Sequence, residues 1–433
     1  MENKRYIDNT YEDHVDGVSI DEKTLLANTE KHLTSLLTKL YEKCPPTSQL
    51  CEESTGHQTI DITMYTGTCG NIYIQWRLYE MYKKREDKPN REKRLDSALA
   101  AFKINEALYK KYNKPEERKR RTPAFFMGEP GLYTLGAILN REKEDMKETE
   151  RCFKKVIGDL EMCSFSTSED ELLYGNAGYL YCLLLLFKTD PIKFECRKPI
   201  VEVVNLLKKS GEKIIDGKGI LSYRFPRKKG NEYLGGAHGT FGIVYILLKA
   251  VEIVEELKKD KELMMLLEST CDQLLTLQTK AGNFPTTLNS KKGDLVHFCH
   301  GAPGLIPTLL EAHKTFDKKV YLKSALTAGE VVWKRGILFK GNSLCHGIAG
   351  NAYFLHSLYR YTEDLMWKHR FFCFLDATWN ESIQQQASTY DDPGRKVTGM
   401  PDSPYSLMEG MGGTVVFYAD VISGKMLFPG YEL

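Results

Sequence analysis

Seven Gly-x-x-Gly pairs recur along this chain, and their spacing restricts the fold more than any other feature. They are Gly67/Gly70, Gly128/Gly131, Gly175/Gly178, Gly239/Gly242, Gly301/Gly304, Gly347/Gly350 and Gly410/Gly413. Their first glycines stand 61, 47, 64, 62, 46 and 63 residues apart. With 34 glycines in 433 residues, chance placement gives about three such pairs, and a regular excess marks a repeat architecture. Each pair opens an apolar segment, such as Ile72-Tyr73-Ile74, Tyr179-Leu180-Tyr181 or Ile243-Val244-Tyr245-Ile246. Tyr73, Tyr181, Tyr245 and Tyr353 stand at one offset, three residues after the second glycine.

A repeat of this length has room for two helices and their connections. The segments after the glycines are apolar nearly all round, as expected of helices buried on every side. The segments between them are amphipathic: Leu95–Tyr109 and Val251–Leu267 show helical spacing with Lys and Glu on the other face. Sustained period-2 alternation is rare, so little β structure is expected. The pattern predicts an all-α chain, an α/α toroid of seven helical hairpins with the Gly-x-x-Gly loops at one rim. An open solenoid is the rival, but it needs polar capping repeats, and none is evident. One ring therefore replaces the prior of about three domains that length alone suggests. Glycine at the start of each inner helix permits positive φ or close backbone approach.

Residues 1–60 read as an N-terminal helical extension packed on the toroid of residues 61–433. Ser19 with Glu22 fits a capping box, Leu25, Leu33, Leu36, Leu37 and Leu40 give the helix an apolar face, and Cys44-Pro45-Pro46 ends it.

Composition narrows the function classes. Lys plus Arg number 60 against 58 Asp plus Glu, a net charge of +2, without the basic excess of a nucleic-acid binder. The longest apolar run, Tyr179–Phe187, is about half a membrane span. The start reads as no signal peptide, and Glu2 in place of Gly argues against N-terminal myristoylation. Eleven cysteines without regular spacing read as free thiols of a cytoplasmic protein. Two basic runs, Arg118-Lys119-Arg120-Arg121 and Arg227-Lys228-Lys229, read as solvated loops.

Three of the seven loops carry ligand-type residues. They read Gly235-Gly236-Ala237-His238-Gly239, His297-Phe298-Cys299-His300-Gly301-Ala302-Pro303-Gly304 and Leu344-Cys345-His346-Gly347-Ile348-Ala349-Gly350. Four of the ten histidines and two of the eleven cysteines fall in these windows. Thiolate and imidazole are the usual zinc donors, and a catalytic zinc keeps three protein ligands and one open position. Cys299, Cys345 and His346 would supply two sulfurs and one nitrogen. Such a set suits the binding and ionisation of an incoming thiol. His238 is left outside it as a general acid or base. Taken singly, each of these residues has a structural explanation, a buried thiol or a hydrogen-bonded loop histidine. Their equivalent positions in neighbouring repeats favour the metal.

These loops, with Ser406-Leu407-Met408-Glu409-Gly410 and the terminal Phe428-Pro429-Gly430-Tyr431-Glu432-Leu433, resemble the lanthionine synthetase C-like family, most of all its eukaryotic members. The resemblance covers nearly the whole chain from about Tyr65. It implies a zinc (Zn2+) toroid that adds a thiol to dehydroalanine or dehydrobutyrine, with glutathione as the thiol in eukaryotic members. The acceptors would be proteins or peptides from which phosphoserine or phosphothreonine has lost phosphate. Carried over, Cys299, Cys345 and His346 match the zinc ligands, and His238 matches the proton donor to the enolate. Glu171 stands where bacterial cyclases have Asp, and Lys340 resembles a glutathione-contacting lysine. Asp402, in the Pro401-Asp402 pair before the last repeat, is implied as a further substrate contact. The sequence also departs from the pattern. Phe298 replaces a usual Trp, Leu295 an Arg of the bacterial cyclases, and Gly399 an Arg of glutathione-binding relatives, with Arg395 nearby. A glutathione-binding scaffold without catalysis is the alternative. A glycan hydrolase would need paired rim carboxylates, for which only Glu129 and Glu409 offer themselves.

Overall fold

The computed structural model describes residues 4–17, 20–112, 122–164, 169–215, 218–225, 231–391 and 396–433. Both basic runs, Ser19 and Arg395 lie outside these described residues. In chain order the helices are α1 Glu22–Lys43, α2 Gly70–Lys84, α3 Lys88–Tyr112, α4 Glu129–Glu142 and α5 Met146–Gly158. They continue with α6 Asn176–Thr189, α7 Arg197–Gly211, α8 Thr240–Ile253, α9 Lys261–Leu275 and α10 Ala302–Phe316. The series ends with α11 Lys319–Arg335, α12 Ile348–Thr362, α13 Leu365–Ala377, α14 Glu381–Thr389 and α15 Met411–Ser423. Among the described residues, named strands occur only as two antiparallel hairpins, β1 Cys51–Glu52 with β2 Gln58–Thr59 and β3 Glu212–Ile215 with β4 Lys218–Leu221.

Every Gly-x-x-Gly pair starts a helix, namely α2, α4, α6, α8, α10, α12 and α15. These helices are buried almost throughout; α8 buries every residue from Thr240 to Val251. Among the helices after them, α5, α7 and α9 bury one stripe, whereas α13 buries Arg370 to Leu375 without a break. In α7 the buried positions are Ile200, Val203, Val204, Leu207 and Gly211, spaced for a single face. The two kinds also start differently. Asp145, Asp260 and Asp364 cap α5, α9 and α13 through their carboxylates, the usual remedy for unpaired N–H groups at a helix start. The glycine-headed helices have no side-chain cap from the N-cap residue. In four of them the first N–H donates instead to a carbonyl seven residues back: Asn176 to Glu169 at 2.8 Å, Thr240 to Tyr233 at 3.0 Å, Ile348 to Gly341 at 2.8 Å and Met411 to Pro404 at 2.8 Å.

That return of the loop explains the glycines. A Cβ on Gly131 would lie 1.9 Å from the Phe125 carbonyl oxygen, and one on Gly350 would lie 1.8 Å from that of Leu344. Close approach, not left-handed backbone, is the general requirement. Gly128, Gly175, Gly239, Gly347 and Gly410 are all extended, and only Gly301, at φ 98°, is left-handed among the paired glycines.

By contacts the chain forms two compact units, Met1–Tyr112 with Val331–Phe428, and Asn113–Glu330 with Pro429–Leu433. In the first, α2 packs on α15 and α15 on α12, while α3 lies against α2 and α13 against α12. The last glycine-headed helix, α15, has no amphipathic helix after it; the one packed on it is α1, from the other end of the chain. Leu33, Leu37 and Leu40 of α1 are buried, Leu25 and Leu36 half-buried. A buried ion pair joins three elements of this unit: Arg77 Nε donates to Asp420 at 2.8 Å, and Tyr353 Oη donates to the other carboxylate oxygen at 2.7 Å. In the second unit α4, α6, α8 and α10 pack in that order, with α5 on α4 and α7 on α6. Tyr431 belongs to this unit, its hydroxyl donating to Gly304 O at 2.9 Å.

Two expectations need correction. Val251–Leu267 is not one helix: α8 stops at Ile253, a 3-10 turn covers Glu255–Lys259, and α9 restarts behind the Asp260 cap, whose carboxylate accepts from Leu263 N. The apolar spacing continues across the break because both sides face the same core. The N-cap of α1 is Asp21, which accepts from Thr24 N at 3.0 Å, while Ser19 of the expected box lies outside the described residues.

Candidate functional site

The candidate ligand and acid–base residues sit at two equivalent loop positions. Cys299 and Cys345 are the second residues ahead of their first glycines; His238, His300 and His346 are the first. Glycine packing fixes where these side chains leave the loop, because the backbone on either side is tied to its own helix.

In the Cys345 loop the helix entry meets backbone carbonyls directly. Ile348 N donates to Gly341 O, Gly350 N to Ser343 O at 3.2 Å, and Cys345 N to Met408 O at 2.9 Å. Met408 holds the matching position of the last loop, and its N donates in turn to Tyr65 O of the first at 3.0 Å. Cys345 is buried and His346 half-buried.

The Cys299 loop is held differently. Where four of the other loops place a carbonyl seven residues back, the side-chain amide of Asn283 is inserted. Ala302 N donates to Asn283 Oδ1 at 2.7 Å, and Asn283 Nδ2 donates to Leu295 O and Gly293 O, both at 2.8 Å. Asn283 is fully buried. No sequence motif points to it, since it lies well ahead of the loop and is one asparagine among many. Phe298, the departure from Trp, is buried with its ring 5.1 Å from that of Tyr431. Leu295 serves the loop through its carbonyl.

Among the described residues, one group has the donors of a metal site: the ligand atoms of Cys299, Cys345 and His346 lie within 4.8 Å of one another. Tetrahedral zinc with sulfur at ~2.3 Å and nitrogen at ~2.0 Å has ligand–ligand edges of about 3.4–3.8 Å. Two sulfurs with one imidazole match zinc in donor softness.

His238 forms a dyad with Glu171. Its Nδ1 lies 2.8 Å from Glu171 Oε2, and the same carboxylate accepts from Leu173 N at 3.0 Å and from Tyr174 N. Glu171 is buried, while the His238 side chain keeps 22% of its surface. An ionised carboxylate only accepts, so Nδ1 is the nitrogen that carries the proton toward it. Three aromatic rings surround the imidazole, Tyr174, Phe225 and Tyr233.

Lys340 is half-buried and follows a segment paired with the N-terminus: Tyr6 bridges Leu338, and Ile7 N donates to Ile337 O at 2.8 Å. Asp402 keeps other company. Its main-chain oxygen accepts from Ser54 N at 3.0 Å and its carboxylate from Lys396 N at 3.4 Å, beside the β1–β2 hairpin. A cavity of about 480 Å3 in the first unit is lined by Asn342, Ser343, Trp379, Gly399, Tyr405 and Glu409, among others. Among the described residues no helix is long and apolar enough to cross a membrane, and no disulfide is present.

The fold is that of a known class. A solved structure of nisin cyclase superposes with a TM-score of 0.55 over 92% of this chain and 94% of that one, at 15% identity, which makes the architecture an α/α toroid. Residues 58–433 match the family model of the lanthionine synthetase C-like proteins, and the chain belongs to that family. It is 29% identical, over the full length of both, to "Glutathione S-transferase LANCL1" of Danio rerio. To "LanC-like protein GCL1" of Arabidopsis thaliana it is 28% identical, across 86% of this chain and 82% of that one.

Proposed function

We propose that this protein adds the thiol of glutathione to dehydroalanine or dehydrobutyrine residues of proteins or peptides in the cytoplasm, with zinc held by Cys299, Cys345 and His346. What carries the reading is one pairing: a sulfur-rich donor group together with a histidine anchored by a buried carboxylate. The name of the zebrafish relative supports glutathione as the thiol. Zinc in such a set favours the thiolate form of a bound thiol at neutral pH.

The chain's own residues supply the rest. Attack of sulfur on Cβ moves the π pair toward the carbonyl oxygen, leaving an enolate. The proton that the thiol loses on ionising is taken up at Nε2 of His238 and given to Cα, so that a C–S and a C–H bond replace the S–H bond and one π bond and nothing is oxidised or reduced. Glu171 fixes the ring through Nδ1 and stabilises the imidazolium that donates. The Lys340 ammonium suits a carboxylate of the tripeptide.

A glutathione-binding protein without turnover is the second reading, and Glu171 in place of the Asp of bacterial cyclases favours it. The arginine of glutathione-binding relatives has no place at Gly399, which is left-handed at φ 69° with a Cβ 1.9 Å from Ser388 O, so other residues would hold the tripeptide.

Mass spectrometry of a dehydroalanine peptide incubated with protein and glutathione separates the two. The first reading predicts a gain of one glutathione, slowed about 10²–10⁴-fold in His238→Ala and reduced in Glu171→Gln. Calorimetric binding of glutathione with no mass gain establishes the second.

A further inference from the structure

The geometry points to Tyr174, Phe225 and Tyr233 as the acceptor subsite, a wall that takes the flat, uncharged α,β-unsaturated residue and refuses its phosphorylated precursor. This rests on the addition reading given above.

The three rings reach His238 from separate stretches of chain. Phe225 lies 5.2 Å from the imidazole, centroid to centroid, and Tyr174 and Tyr233 each lie 6.1 Å away, Tyr174 within 15° of parallel. Tyr233 is also 5.4 Å from His300, the neighbour of Cys299. The wall therefore runs from the proton-transfer histidine toward the sulfur donors. It is fixed through the backbone: Phe225 N donates to Asn231 O at 2.9 Å, Leu234 N to Thr286 O at 3.1 Å, and Tyr233 bridges Thr287. Phe225 is buried, whereas Tyr174 and Tyr233 are half-buried.

Orientation of the imidazole needs none of these rings, because Glu171 supplies it. Rings ranged around a partly open histidine serve whatever approaches it. A dehydroamino residue is planar at Cα, with its C=C conjugated to the carbonyl and no charge, so its faces pack on aromatic rings. Phosphoserine is tetrahedral at Cα and carries nearly two negative charges. Against apolar rings and the Glu171 carboxylate it would lose hydration without gaining a partner. The same rings keep water from the enolate, leaving His238 as the proton source.

The test uses the full-length, zinc-loaded protein with Tyr233→Leu, Phe225→Leu and Tyr233→Phe, each checked by circular dichroism. KM is measured separately for a dehydroalanine peptide and for glutathione. The Leu variants should raise the peptide KM about tenfold while glutathione KM stays within about twofold, and Tyr233→Phe, which keeps the ring, should match the wild type. A phosphoserine peptide of the same sequence should not compete. Unchanged peptide KM in both folded Leu variants, a shift confined to glutathione KM, or competition by the phosphopeptide overturns the assignment. An active wild type with unaffected variants sinks this inference alone; an inactive wild type sinks the addition reading with it.

Discussion

The loop entering α10 and the loop entering α12 share the sequence Cys-His-Gly, yet the helix-entry N–H meets a buried side chain in the first and a backbone carbonyl in the second. At α12, Ile348 N meets the carbonyl of Gly341 directly. At α10 the amide of Asn283 stands between the equivalent partners, taking Ala302 N–H and giving its own N–H to Leu295 O. Gly301 turns left-handed there, whereas Gly347 stays extended at φ −138°. A backbone tie tolerates many sequences, because every residue brings the same N–H and C=O. A side-chain tie concentrates the hold in one residue, so the Cys299 half of the donor group is the one that a single substitution can release.

The contrast can be broken at its glycines first. Gly301→Ala combines φ 98° with a Cβ 1.9 Å from Leu295 O, whereas at Gly341, φ 82°, a Cβ meets nothing within 4 Å. Denaturant unfolding should find Gly301→Ala destabilised by more than about 4 kcal/mol, and Gly341→Ala by only about 1–2 kcal/mol, the cost of the left-handed backbone. Similar losses at both positions would mean that close packing does not govern these loops. Asn283→Ala comes next. It strands the Gly293 and Leu295 carbonyls and the Ala302 N–H, so a loss of about 2–4 kcal/mol is expected. Because it frees the Cys299 loop, it should also weaken metal retention about 10–100-fold in a chelator competition. Unaltered metal affinity in the folded variant would reduce Asn283 to ordinary core.

How much of this could be read from the chain alone follows the same divide. The glycine pairs were legible because backbone clash admits no substitute, and each marks a helix start. Cys299, Cys345, His238 and His346 were legible because they fall at matching steps of the repeat. Glu171 emerged through resemblance, and its hydrogen bond to His238 gives it a physical role. Asn283 left no trace, since a lone amide acting on a distant loop has no spacing to betray it. Nor did the rings around His238, because Phe225 and Tyr233 read as ordinary apolar positions outside the repeat. The break between α8 and α9 escaped because helical periodicity reports which face is buried and is blind to a turn that preserves it. The capping role of α1 on α15 could not be seen in a linear scan, which pairs each helix with its neighbour in sequence.

The account stands most directly on whether the two loops hold one metal between Cys299, Cys345 and His346. Metal analysis of the purified protein by inductively coupled plasma mass spectrometry, beside Cys299→Ala and Cys345→Ala, measures that. About one zinc per chain in the wild type, lost from both folded variants, is the predicted result. A wild type without zinc, or zinc retained at full stoichiometry in either variant, would contradict it.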